Sequence, residues 1–129
     1  MSNITQYEID SKGEFASLFK AIRKIILSYP DISEVKNAKQ TSYHDSYGVL
    51  LMMRTKGNTF VVALGKGATL QAEYPMLLGS GKIVRHLHYR SLEELDERLL
   101  REILEESFIL GMEDFERKQL RRESQTQKA

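Results

Sequence analysis

Three short runs hold the side chains best able to do chemistry. Gly79-Ser80-Gly81-Lys82 sets a lysine behind two glycines; Arg85-His86-Leu87-His88 follows; then Glu93, Glu94, Glu97, Glu102, Glu105 and Glu106 gather carboxylates on one segment. The first run invites comparison with a phosphate loop. It fails the pattern, because Met76 stands where the first glycine belongs and Ile83 replaces the hydroxyl residue that would meet magnesium. It reads as a tight turn into a strand, or as an anion site built from Lys82 and backbone N–H groups. His86 and His88, two residues apart on a strand, share a face and can both turn to one metal, but a metal site needs a third ligand. His44 is the only other histidine and falls on a different strand. The plainer reading is a pair of exposed or edge histidines. Glutamate oxygens are hard ligands, and Glu93 with Glu97, one helical turn apart, can share an ion weakly. Acidic helix faces also serve simply as solvated surface.

These residues define two candidate sites. A ligand pocket is expected between the Gly65–Gly81 loop and the following strand, with Lys66, Lys82, Arg85 and His86. A metal site would use His86, His88, Glu93 and Glu97. The chain has no cysteine, no Gly-x-Ser-x-Gly and no His-Glu-x-x-His. No catalytic signature completes itself, and the expectation is a protein that is not an enzyme.

The elements that must position these groups follow from periodicity. Ser11-Lys12-Gly13-Glu14 reads as a capping box, and Phe15, Leu18, Phe19, Ile22, Ile25, Ile26 and Tyr29 then recur at helical spacing. Residues 1–10 suit a short strand or a loose arm. Pro30 ends the helix, and Asp31 to Ala38 is expected to form a second, short one. Gln40–His44 is a weak strand. Val49–Arg54 and Thr59–Leu64 flank Thr55-Lys56-Gly57-Asn58, a hairpin signal. Both of these strands are apolar on both faces, so the face turned from the helices needs cover from the loop, the tail or a second subunit. Ala72–Leu78 is expected to be a turn of helix tucking Met76 to Leu78 inside. Ser91-Leu92-Glu93-Glu94 should cap a last helix burying Leu92, Leu95, Leu99 and Ile103. A second stripe, Leu104, Phe108, Met112 and Phe115, implies a break at Gly111 or a homodimer contact.

Composition bounds the rest. At 129 residues, 41% hydrophobic and 29% charged, the chain suits one globular domain over 1–116 with a polar, flexible tail over 117–129. It has no apolar run long enough for a membrane span, and its N-terminus lacks secretory features; with no cysteine, the expectation is the cytoplasm. The net charge of +1 conceals +5 over residues 1–90 (12 basic, 7 acidic), −8 over 91–116 (2 basic, 10 acidic) and +4 over 117–129 (5 basic, 1 acidic). That balance does not select a nucleic acid, and no aromatics interleave with the basic groups as a single-strand platform requires.

Gly65-Lys66-Gly67-Ala68-Thr69-Leu70, Leu78-Gly79-Ser80-Gly81-Lys82, Arg85-His86 and Ser91-Leu92-Glu93-Glu94-Leu95-Asp96 resemble, in order and spacing, the YdhG-like family of small bacterial domains of unknown function. The likeness is best over residues 60–110. It extends more loosely to Arg23, Pro30, Glu34 and Tyr43. The resemblance implies an α+β fold of two layers, an antiparallel sheet against N- and C-terminal helices, similar in layout to frataxin. Some relatives are described as iron chaperones, which makes intracellular iron binding the alternative to a non-enzymatic ligand-binding or protein-interaction module. Frataxin-like iron binding uses an acidic first helix; here that helix carries Lys20, Arg23 and Lys24, and the acids lie on the last.

Overall fold

The computed structural model describes residues 4–127. Its elements run α1 (Gln6–Lys12), α2 (Ala16–Leu27), β1 (Ser33–Lys36), β2 (Thr41–Asp45), β3 (Gly48–Lys56), β4 (Thr59–Leu64), α3 (Gly67–Leu70), β5 (Arg85–Tyr89), a 3-10 turn (Leu92–Glu94) and α4 (Glu97–Gln127). The strands form one antiparallel meander in the order β1-β2-β3-β4-β5. The expected α+β architecture of sheet packed on terminal helices is what the chain adopts.

Alternation sorts the sheet into two faces. Tyr43, Leu51, Met53, Phe60, Val62, Leu64, Leu87 and Tyr89 are buried in one core with Leu18, Phe19, Ile22, Ile25 and Ile26 of α2 and Leu100, Ile103 and Leu104 of α4. Phe19 and Phe60 meet edge to face at 6.0 Å between centroids. The apolar spacing of α2 was therefore a sound guide.

The start of the chain differs from expectation. Residues 6–12 are helical, and Thr5, not Ser11, accepts from a first-turn N–H, that of Glu8 (3.3 Å). Ser11 lies inside α1 and donates to the Glu8 carbonyl. Buried Asp10 ties this helix to the sheet. Its Oδ1 accepts from the Thr55 N–H (3.0 Å) and hydroxyl (2.7 Å), beyond the point where β2 stops pairing with β3. The carboxylate completes a ladder that the neighbouring strand leaves short.

Asp31–Ala38 is not helical. Ser33–Lys36 pairs with Thr41–His44, and Asn37 closes the turn by accepting from the N–H groups of Lys39 and Gln40. Strand pairing outweighs the weak helical preference of so short a segment. The later hairpin forms as expected, with Gly57 at φ 60°.

The last helix also departs. Ser91 makes no side-chain cap, and Asp96 accepts from the Leu99 N–H instead (3.0 Å). The helix passes Gly111 unbroken and continues to Gln127, so the stretch expected as a flexible tail is helical there; residues 128 and 129 lie outside the described residues. Leu92 is exposed, whereas Leu100 and Leu104 are fully buried. Leu104 and half-buried Phe108, assigned to a dimer stripe, belong to the domain's own core, because α2 and the sheet wrap further round α4 than one stripe requires. Tyr29 stacks edgewise on Phe108 at 5.1 Å and donates to Glu105 (2.7 Å). Met112 and Phe115 stay exposed, Phe115 against Tyr47.

Candidate functional site

The four residues of the expected pocket are not brought together. Lys66 donates to Asp114 of α4, and that bond, its largest influence, holds the carboxyl below its ordinary value. Arg85 lies on the helix side of the sheet. It donates to the Gln71 carboxamide (2.8 Å) and to the Val84 (2.9 Å) and Gly81 carbonyls, while Gln71 donates to the Leu77 carbonyl (2.8 Å). Lys82 stands exposed in the loop. Only His86 faces away from the helices. Alternation sends neighbours Arg85 and His86 to opposite faces.

The glycine-rich loop is held by packing. A Cβ on Gly67 would sit 2.2 Å from the backbone nitrogen of Arg85, so only glycine lets α3 lie against β5. Gly79 adopts φ 121°, which other residues rarely reach. Between them the chain loops out and returns, where Leu78 forms a two-bond bridge with His86 (2.8 and 2.9 Å). Of Met76, Leu77 and Leu78, all expected inside, only Leu77 is buried. The bridge turns Leu78 toward the open side of the sheet.

That open side carries a groove of about 540 Å³. Register explains its composition. One row crosses the sheet as Val35, Ser42, Met52, Ala63, His86 and Leu78, each paired with the next. The next row is Arg54, Val61 and His88, and beyond it Lys56 pairs with Thr59. Ala63, the small residue between Met52 and His86, leaves a depression. Met52, Val61, Ala63 and Val84 make an apolar floor, and Lys39, Arg54 and Lys56 stand at the hairpin end. Among the described residues lining this groove there is no aspartate or glutamate. The sequence showed that these strands were apolar on both faces; the register of five strands, which gathers the cations, was not legible.

His86 and His88 both line the groove, their ring centroids 6.1 Å apart. Partial desolvation, then the neighbouring His86 and Lys56, pushes the His88 pKa down. Glu93 and Glu97 lie on the 3-10 turn and the start of α4, where Glu97 accepts from Arg101. No group of three or more His, Cys, Asp or Glu is placed to hold a metal ion among the described residues.

A second cluster ties the layers together. Arg23 of α2 donates twice to Glu34 of β1 (2.7 and 3.1 Å), and the buried Tyr43 hydroxyl donates to the same carboxylate (2.7 Å). Burial resists ionisation of Glu34, but the bonds from Arg23 and Tyr43 outweigh it and hold the carboxyl below its usual value. Burial, then the bond to Glu34, raises Tyr43 well above the ordinary phenol range. With every lone partner engaged, this is a brace between helix and sheet.

No helix among the described residues is long and apolar enough to cross a membrane. No protein-family model, curated protein or solved structure matches the chain.

Proposed function

We propose that this chain is a non-enzymatic binding module whose working surface is the uncovered face of the sheet, and that its ligand is anionic. The observation that carries this reading is the groove itself. Its volume falls in the range of small-molecule sites. Its floor is apolar, its charged rim is cationic, and no carboxylate lining competes for those cations. The motif residues support the same reading. Among the residues that carry the resemblance to YdhG-like domains, Gly67, Gly79 and Arg85 serve here as a close contact, a turn and a brace.

A fluorescent anilinonaphthalene sulfonate tests the proposal, because it joins an apolar body to a permanent anion. Wild type should bind it saturably with one site per chain. The double substitution R54S/K56S, which removes the rim charge, and A63F, which fills the depression, should each weaken binding at least tenfold with thermal unfolding still cooperative. Equal affinity in wild type and both variants would remove the open face from consideration.

A further inference from the structure

The groove does not end at the His86 row. A second cleft, of about 330 Å³, shares Met52 and Val84 with it and runs past Val49, Leu50, Gly65 and Ile83 to Ser107 and Gly111 of α4. The two ends differ in chemistry. At the hairpin end stand Lys39, Arg54 and Lys56. At the far end Ile83 and Val49 are exposed at 65% and 42%. The charges there are already engaged: Lys66 is paired with Asp114, and Asp45 accepts from the Tyr47 N–H. An anionic group is therefore favoured at one end and repelled or unrewarded at the other. Seven residue steps of β3 separate Lys56 from Val49, a path of about 23 Å.

From this polarity we infer that the ligand is a single-chain amphiphile, an acyl carboxylate, lying along the strands with its carboxylate among Lys39, Arg54 and Lys56 and its alkyl chain running over Met52, Ala63 and Val84 into the second cleft. The inference rests on the open face being the binding surface and adds the ligand's class and direction. Three features fit it. The floor is apolar, buried Ser107 at the second cleft already donates to the Ile103 carbonyl, and no aspartate or glutamate lines the groove beside its cationic end. His86 and His88 border the path.

The test is a series of straight-chain carboxylates from butanoate to decanoate, titrated calorimetrically at pH 8 below their aggregation concentrations. Each added methylene should tighten binding about fourfold across the series. Decanol, with the tail but no charge, should bind at least tenfold more weakly than decanoate. V84D, which places a like charge on the tail's path, should abolish the gain in affinity with length. Because the length series is run on wild type, the result does not depend on any variant folding. Affinity independent of chain length would overturn the acyl assignment, and if the naphthalene sulfonate still bound, the open face would remain the binding surface for a different anion. Binding to vesicles of anionic phospholipid without any length dependence for free carboxylates would assign the face to a membrane surface and likewise overturn it.

Discussion

At the scale of single residues, the strongest polar interaction is the one among Arg23, Glu34 and Tyr43. A bidentate guanidinium–carboxylate pair with a third donor is charge-assisted and geometrically specific. Its pH signature follows from the direction of the Glu34 shift. A carboxyl whose pKa is lower in the folded than in the unfolded chain stabilises fully above its unfolded value, near 4.3 for glutamate. That stabilisation is lost as pH falls through the folded value. We expect E34Q to lower stability at pH 7 by about 1–3 kcal/mol, and to flatten the fall in stability below pH 4.5, as read by urea unfolding across pH 3–7. A parallel pH profile in wild type and variant would show that Glu34 is not the linked group. Gly67 makes the other residue-scale statement. G67A should be strongly destabilising, because its Cβ meets backbone of β5 rather than a movable side chain. A fall in Tm of less than about 3 °C, the shift that about 1 kcal/mol produces in a chain of this size, would contradict that.

At the scale of elements, α4 is one helix with two surroundings. Its first half places Leu100, Ile103, Leu104 and Ser107 in the core. Past Phe115, which leans on Tyr47, every side chain from Glu116 to Thr126 is exposed. Arg117–Arg121 and Lys118–Arg122 are like-charged pairs one turn apart, which weakens a helix that has no packing to support it. Ending the chain after Lys118 should therefore leave Tm within about 2 °C and reduce helical circular dichroism only in proportion to the residues removed. A larger fall in Tm would mean that the distal turns are held by contacts in solution.

At the scale of the whole molecule, one sheet face has no helix laid across it among the described residues, and the strand register makes that face cationic. His88 gives the face a pH dependence. Its pKa is depressed by burial and by nearby His86 and Lys56, so protonating it in the free protein is unfavourable, and stability falls as pH drops below about 6.5. An anion in the groove favours the protonated ring. Affinity for the naphthalene sulfonate should rise several-fold between pH 8 and pH 5.5, and H88Q should lose most of that rise. An unchanged slope in H88Q would place the titrating group elsewhere.

The sequence by itself determined much of the framework. The apolar spacing of α2, the Gly57 hairpin and the alternation of Arg85, His86, Leu87 and His88 are local patterns with periods of 3.6 and 2, and they survive folding because side-chain direction follows backbone geometry. Tertiary structure decided what local pattern cannot. It turned Ser33–Lys36 into a strand, drew α1 onto Thr55 through Asp10, sent Leu104 into the core and separated Lys66 and Arg85 from His86. It also brought Arg23, Glu34 and Tyr43 to one point, and Lys39, Arg54, Lys56, His86 and His88 to one groove. The reason is that strand register and helix docking are set by pairings between residues far apart in the chain. Those pairings gain free energy only when the whole sheet forms, so no window of sequence contains them.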